Sequence, residues 1–355
     1  MKVLVIGPSW VGDMMMSQSL YRTLKQCQPD IEIDVIAPAW CGALVNKMPE
    51  VNNAITMPIG HGKLALGERY AIGKQLRKQR YDQAIILPNS LKSALVPFFA
   101  HIPKRTGWLG EVRYGLLNDW RRLDKSAFPL MVERYIALAY DSTTISNANQ
   151  LPHPLLWPKL QVSEQEMKAT STQFNLPTNS SIIGFCPGAE FGPAKRWPDY
   201  HYAVLADKLI EQGAHIILLG SMKDKPVGEA IIAQMKHKTQ CINLAGSTTL
   251  EQAVNLLAGC QAVVSNDSGL MHIAAALSTP LVALYGPSSP DFTPPLSDQA
   301  EIIRLITGYY KIRKGNNEMG YHQSLIDIKP MQVLATLNSL LERCKSKSNK
   351  DYHNE

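Results

Sequence analysis

The stretch Val264-Ser-Asn-Asp-Ser-Gly-Leu-Met-His-Ile-Ala-Ala-Ala-Leu-Ser-Thr-Pro-Leu-Val-Ala-Leu-Tyr-Gly-Pro-Ser-Ser-Pro290 reads as strand, loop, helix and strand in one unit. Residues Ala262 to Val264 form an apolar run, as the end of a buried parallel strand does. Asn266, Asp267 and Ser268 are all good helix N-caps, and Gly269 lets a ligand or backbone come close. A small apolar helix then spans Leu270 to Leu277, and a second strand spans Leu281 to Tyr285. A loop that feeds a helix N-terminus just past a strand is where α/β folds hold anions. Free N–H groups and the helix dipole both point at the ligand there. Asp267 could accept hydrogen bonds from sugar hydroxyls. His272 lies on the first turns of the helix, on an otherwise apolar face. A capping aspartate and a hydrogen-bonded core histidine account for the same residues, so both readings stand.

Outward from this unit the same alternation continues. Upstream come a strand at Ser181 to Cys186, a Gly/Pro-rich loop to Pro198, a helix at Asp199 to Gln212 and a strand at Ala214 to Gly220. A helix at Lys223 to Lys236, a short strand at Cys241 to Leu244 and a helix at Thr249 to Leu257 follow. Downstream, a last strand spans Glu301 to Ile306 and a terminal helix Lys329 to Cys344. The tail from Lys345 is polar and expected to be disordered. The first half alternates in the same way: strands at Lys2 to Gly7, Ile31 to Ile36, Ala54 to Met57 and Asp82 to Leu87. Helices are expected at Met14 to Cys27, Trp40 to Lys47, Lys63 to Arg80 and Asn89 to Phe99. Between His101 and Lys125 the pattern loosens, and basic and aromatic residues interleave with glycines. A further helix ends at Tyr135 to Asp141. Residues 142–162 are rich in Ser, Thr, Asn and Pro and read as a linker.

This pattern predicts an α/β protein of two Rossmann-like, doubly wound domains, 1–155 and 156–345, with 346–355 as a polar tail. Each half places its loops at the carboxyl ends of its strands. If those edges face each other, the active site is the cleft between the domains. The length of 355 residues agrees with about two domains. A hydrophobic content of 45% and a charged content of 19% are ordinary for a globular protein. A net charge of +6 favours an anionic partner without naming one, and no nucleic acid is expected. No apolar run approaches the roughly 18 residues of a membrane span, and the N-terminus lacks a signal-peptide core, so a cytoplasmic location is expected. Six cysteines without a CxxC pair point to reduced thiols rather than disulfides or zinc.

Three further loops could carry chemistry. Gly7-Pro-Ser-Trp-Val-Gly12-Asp13 has GxxxxG spacing, but Asp13-Met14 replaces the Lys-Ser/Thr of a phosphate-binding loop, and Ser9 replaces the second glycine of GxGxxG. Asp13, near a helix N-terminus, stays ionised at neutral pH, either as a general base or as a cap. In Cys186-Pro-Gly-Ala-Glu-Phe-Gly-Pro-Ala-Lys-Arg-Trp-Pro198, Gly188 frees the backbone. Lys195 and Arg196 place positive charge just before a helix that Pro198 starts, which suits a diphosphate leaving group. Gly220-Ser-Met-Lys-Asp224 stands where such folds commonly meet a ribose or base.

Together with Gly12-Asp-Met-Met-Met-Ser-Gln-Ser-Leu20, the loop to Pro198 and the stretch Asn266 to Pro290, the chain resembles the ADP-heptose:lipopolysaccharide heptosyltransferases over nearly its whole length. The likeness is greatest to the branch that acts on an already heptosylated acceptor. The resemblance implies a GT-B fold and inverting transfer of L-glycero-D-manno-heptose from ADP-heptose to the first heptose of heptosyl-Kdo2-lipid A. It implies an N-terminal domain that holds the acceptor and a C-terminal domain that holds the nucleotide sugar. Asp13 would be the general base and Lys195 a contact to the donor phosphates. Gly188, Arg196 and the turn Asp267-Ser268-Gly269 would complete the donor site, with His272 a donor-side histidine. No metal or other cofactor is implied. Lys104, Arg105, Arg113 and Arg121 suit a phosphorylated glycolipid at the cytoplasmic face of the inner membrane, where peripheral attachment is expected. The alternatives are transfer to Kdo2-lipid A itself, or a nucleotide-sugar-binding module of lipopolysaccharide assembly without catalysis.

Overall fold

Strands and helices alternate along almost the whole chain. The computed structural model describes residues 1–351 apart from 61, 179, 191, 309–311, 313, 314 and 316. The chain divides between Lys159 and Leu160 into two units.

In Met1–Lys159 the order is β1 (Lys2–Ile6), α1 (Val11–Cys27), β2 (Glu32–Pro38), α2 (Ala39–Asn46), β3 (Asn53–Met57), α3 (Leu66–Leu76) and β4 (Gln83–Ile86). It continues with α4 (Leu91–Phe99), β5 (Lys104–Trp108), β6 (Asp119–Arg121) and α5 (Met131–Ile136). The sheet is parallel, in the order β3-β2-β1-β4-β5-β6. Val3, Leu4 and Val5 of β1 are fully buried, because helices cover both faces of a parallel sheet. Each such side chain contributes roughly 1.5–3 kcal/mol. β1 pairs with β2 on one side and β4 on the other, so the chain direction across the sheet reverses there.

The stretch 101–125, irregular in its sequence pattern, supplies two of these strands. Its inward positions are polar: Gln83 Nε2 donates to Thr106 Oγ1 at 2.8 Å, and Thr106 Oγ1 donates to Asp119 Oδ2 at 2.8 Å. This ladder across β4, β5 and β6 replaces the apolar run that marks a buried strand.

In Leu160–Glu355 the order is α6 (Glu164–Gln173), β7 (Ser181–Cys186), α7 (Asp199–Glu211), β8 (Ala214–Leu218), α8 (Lys225–Gln234), β9 (Cys241–Asn243) and α9 (Leu250–Gly259). It continues with β10 (Ala262–Asn266), α10 (Gly269–Ala276), β11 (Leu281–Tyr285), β12 (Ala300–Arg304), α11 (Gln323–Ile326) and α12 (Pro330–Asp351). The strand order β12-β11-β10-β7-β8-β9 is again parallel and reverses between β7 and β10. Phe185, Val264, Val282 and Leu284 lie in the core beneath α7 and α12.

One helix was not foreseen and one expectation is corrected. Hydrophobic periodicity does not announce α6, although its capping box is explicit: Ser163 Oγ accepts from Glu166 N at 3.2 Å, and Ser163 N donates to Glu166 Oε2 at 2.9 Å. The tail expected to be disordered from Lys345 instead continues α12 to Asp351. Helix breakers are absent there: the run Lys345-Ser-Lys-Ser-Asn-Lys350 has neither Gly nor Pro to stop a helix. Residues 352–355 of the expected tail lie outside the described residues.

Candidate active-site loops

In the first unit, Gly7 ends β1 where no side chain fits. A Cβ there would lie 2.7 Å from Met14 Cε and 3.0 Å from Ile36 O. α1 therefore starts tight against the strand ends. Trp10 is its N-cap residue and makes no side-chain cap bond, which leaves Asp13 in the first turn. The carboxylate is half-buried. Tyr135, buried on α5, has its hydroxyl pKa pushed well above the ordinary value, by burial first and then by the Asp13 charge. Asp13 is thus an acid at a helix N-terminus beside a tyrosine that keeps its proton.

A shallow, open pocket lies past the carboxyl ends of β1 to β4, with Ser9, Trp40, Arg69, Ser90 and Lys92 on its wall. Neither Arg69 nor Lys92 stands in a recognisable motif, so nothing in the sequence singles them out.

The basic residues expected to face the acceptor are placed differently. Arg113 is fully buried. Its guanidinium donates to Pro88 O at 2.8 Å, to Gly110 O at 3.2 Å and to Trp108 O, and burial pushes its pKa down to about 10. Arg121 is buried as well and donates to Ala137 O at 2.7 Å. Arg105 donates to Leu116 O and Ile102 O, both at 2.6 Å. Lys104 is partly exposed and pairs with Asp141 at 3.2 Å and Asp119 at 3.8 Å. Arg113 and Arg121 are thus too deeply buried to form the expected basic acceptor surface, whereas Lys104 and Arg105 stay partly exposed. Arg105 and Arg113 donate to backbone carbonyls around β4 and β5, and Arg121 to the carbonyl just after α5, which offsets the cost of drawing a guanidinium out of water.

In the second unit, three loops past β7, β8 and β10 are tied together. Asn266, the last residue of β10, is fully buried. Its Nδ2 donates to Pro187 O at 2.7 Å, and its Oδ1 accepts from Trp197 N at 3.0 Å and Tyr202 OH at 3.2 Å. It is a staple for the loop after β7, not a helix cap. Ser268 is the cap of α10: its Oγ accepts from Met271 N at 3.4 Å. Asp267 stands between them, and its Oδ2 lies 3.3 Å from Lys195 Nζ. Both side chains are mostly covered, at 13% and 19% exposure, so the pair is less screened than a surface ion pair. Lys195 ends a short 3-10 turn, Pro193–Lys195, entered through Gly192 at φ 92°, a left-handed backbone that glycine accepts without strain.

Gly188 packs against the loop after β8. A Cβ on it would lie 2.4 Å from Asp224 Cγ. Asp224 in turn caps that loop, accepting from Ser221 N at 2.8 Å and Ser221 Oγ at 2.7 Å. Lys223 Nζ bonds Glu190 Oε1 at 2.9 Å at the exposed rim, and that bond raises the Lys223 pKa. Glu190 and Lys223 form a contact the sequence does not reveal, since they stand on different loops. Arg196 is half-buried, with its Nε lacking a hydrogen-bond partner among the described residues. His272 is buried at 6% exposure, and burial pushes its pKa down to about 4, with Asp267 opposing. The imidazole is therefore neutral at ordinary pH. Lys195, Asp267, Ser268, Gly269 and His272 converge at one helix N-terminus, with Gly188 on an adjoining loop. Such a place binds anions and offers acceptors for hydroxyls. Among the described residues no cluster of three or more His, Cys, Asp or Glu could hold a metal ion.

Known proteins resemble this chain over almost its whole length. The chain is 66% identical to lipopolysaccharide heptosyltransferase 2 of Escherichia coli K12 over 343 residues, covering 96% of this chain and 99% of that protein. Against lipopolysaccharide heptosyltransferase 1 of the same strain the identity is 26%, with 96% of this chain and 100% of that protein covered. The solved structure of the E. coli ADP-heptose LPS heptosyltransferase II superposes with a TM-score of 0.91 at 62% identity, covering 97% of this chain and 100% of that one. Both units being doubly wound, the fold is GT-B. Residues 69–322 match the profile of glycosyltransferase family 9 (heptosyltransferase), and the chain belongs to that family.

Proposed function

We propose that this protein is an inverting heptosyltransferase that moves a heptose from ADP-heptose onto the first heptose of the lipopolysaccharide inner core. The observation that carries this reading is the Lys195–Asp267 pair at the N-terminus of α10, in a chain 66% identical to a heptosyltransferase 2. The lower likeness to heptosyltransferase 1 favours the heptosylated acceptor over Kdo2-lipid A.

In this mechanism the acceptor hydroxyl attacks the anomeric carbon of the donor heptose. Its proton passes to the Asp13 carboxylate, and the bond to the diphosphate breaks, leaving its electrons on ADP. Attack opposite the leaving group inverts the configuration. A single base suffices, since no covalent glycosyl-enzyme forms. Lys195 and the free N–H groups at the start of α10 offset the charge that develops on the diphosphate. Asp267 accepts from heptose hydroxyls, Gly188 lets the backbone approach the donor, and neutral His272 serves as a hydrogen-bonding group rather than an acid. Arg196 adds positive charge beside the donor.

The enzyme works at the cytoplasmic face of the inner membrane, peripherally attached. The support is electrostatic: Met1–Lys159 carries 19 Lys and Arg against 12 Asp and Glu, which leaves 17 against 18 in the remainder. A basic unit is drawn to anionic lipid. Exposed Tyr114 and Trp120, edge to face at 5.8 Å, suit the headgroup region. No helix of the described residues is long and apolar enough to cross a membrane.

The test is Asp13→Asn, which keeps the shape and removes the base. Turnover should fall by about 10²–10⁴ while ADP-heptose binding stays within about twofold of wild type by calorimetry. Retained turnover would remove Asp13 from the role.

A further inference from the structure

α3, the end of α4 and the loop before β6 carry apolar side chains that the first unit leaves in water. Leu66, Tyr70 and Phe98 are 52%, 45% and 40% exposed, and Tyr114 and Trp120 are exposed as well. Scattered apolar side chains are ordinary on a surface, but a contiguous set marks a contact face. Gly73 brings the two helices together, since a Cβ on it would lie 2.6 Å from Phe99 Cβ. The Tyr70 ring then meets Phe99 edge to face at 5.3 Å, and Phe99 meets Phe98 at 5.7 Å. Arginines hold these rings. The Arg77 guanidinium lies 6.0 Å from the centre of the Tyr70 ring, and its Nε donates to Phe99 O at 2.9 Å. The Arg105 guanidinium lies 5.6 Å from the centre of the Phe98 ring and donates to Leu116 O. That bond ties the end of α4 to the loop that bears Tyr114, whose ring meets Trp120.

Charge points to the partner. Residues 63–122 hold 12 Lys and Arg against 4 Asp and Glu, which leaves 24 against 26 in the rest of the chain. The positive excess of the whole protein therefore resides in this stretch. Three of its four acids are engaged: Asp82 accepts from Lys2 N at 2.6 Å, Glu111 from Leu91 N at 2.5 Å and Asp119 from Thr106 Oγ1 at 2.8 Å. Lys74, Lys78 and Arg122 are exposed and make no ion pair among the described residues. A spacing of four puts Leu66, Tyr70 and Lys74 on one side of α3, and alternation along the strand puts Arg122 on the side of Trp120. Apolar rings at headgroup level, with cations beside them against phosphates, are how a protein lies on an anionic bilayer. A bilayer is also where the proposed acceptor is embedded.

We propose that this face of the first unit docks on an anionic lipid bilayer, with Leu66, Tyr70, Phe98, Tyr114 and Trp120 among the headgroups and Lys74, Lys78 and Arg122 against lipid phosphates. The inference rests on the peripheral attachment proposed above and supplies its face and its lipid class. The bilayer is recognised by its surface charge, so binding needs no glycolipid acceptor.

The experiment is flotation of the full chain with vesicles of phosphatidylcholine, alone or mixed with phosphatidylglycerol, and without glycolipid. Wild type should float with the mixed vesicles only and be released by high salt. The triple variant Lys74→Glu, Lys78→Glu, Arg122→Glu should bind them about tenfold or more weaker. The double variant Leu66→Ser, Phe98→Ser should bind them severalfold weaker. An equal change of charge on exposed lysines of the second unit, Lys168→Glu, Lys238→Glu, Lys345→Glu, should leave binding at the wild-type level. In every variant the melting temperature and the turnover on a deacylated, water-soluble acceptor should stay at wild-type values. Unchanged binding by either face variant overturns the face, and so does an equal loss in the second-unit variant. Wild type that ignores the mixed vesicles overturns the attachment and the face together. Absence of turnover on the soluble acceptor is a separate failure, that of the heptosyltransferase reading, and the vesicle result still decides the face.

Discussion

The Lys195 ammonium lies 3.3 Å from the Asp267 carboxylate and joins the loop after β7 to the turn that starts α10. Without ligand, Asp267 supplies the negative charge that Lys195 faces. A diphosphate brings more charge to the same spot and competes for the lysine, which leaves Asp267 free to accept from sugar hydroxyls. Lys195→Ala should therefore weaken ADP binding by about 10- to 100-fold and lower kcat as well, since the charge it offsets grows in the transition state. Calorimetry with ADP and steady-state kinetics check both parts.

Gly188 and Asp224 are in contact so close that no side chain fits between them. Gly188→Ala should push the loop after β7 off the Asp224 carboxylate, at a cost of about 1–3 kcal/mol. The KM for ADP-heptose should rise with it, while the KM for the acceptor stays near wild type. Chemical denaturation and donor titration read the two effects.

Asn266 is the buried tie between β10 and the loop after β7, with three hydrogen bonds from one side chain. Asn266→Ala leaves Pro187 O, Trp197 N and Tyr202 OH without these partners. Unfolding free energy should drop by about 2–4 kcal/mol, and a urea titration measures it. Asn266→Asp should fare no better, because a carboxylate cannot donate to Pro187 O.

His272 is neutral when folded, with its pKa pushed down to about 4 by burial, and it titrates near 6.5 when unfolded. Between those values the unfolded chain binds the extra proton, so stability rises with pH across that window. Its contribution is complete above about pH 6.5 and is lost as pH falls toward 4, on the order of 3 kcal/mol. His201, also pushed down to about 4, acts in the same direction. Melting temperatures from pH 4 to 7 should show a shallower acid limb for His272→Gln than for wild type.

Much of this molecule can be read from its chain. The unit from Val264 to Pro290 announces strand, loop and helix by an apolar run, capping residues and a second apolar run, and the structure has β10, α10 and β11 there. The strands β5 and β6 are hard to read because Thr106 and Asp119 fill inward positions with a hydrogen-bond ladder, and periodicity detects only apolar filling. α6 is legible only through Ser163 and Glu166, since its residues carry little apolar patterning. Arg113 and Arg121 look like surface charge because sequence gives no depth; their partners are backbone carbonyls, which leave no trace in composition. The tie between Lys195 and Asp267 joins residues 72 positions apart. Each of the two stands out by its loop, but only the fold brings the loops together.

The most direct test of the account is to incubate the purified protein with ADP-heptose and heptosyl-Kdo2-lipid A, and in parallel with Kdo2-lipid A, following ADP release and acceptor mass. The heptosylated acceptor should gain one heptose with one ADP released per transfer, and Kdo2-lipid A should gain little or none. Transfer to Kdo2-lipid A alone, or no ADP release with either acceptor, would contradict it.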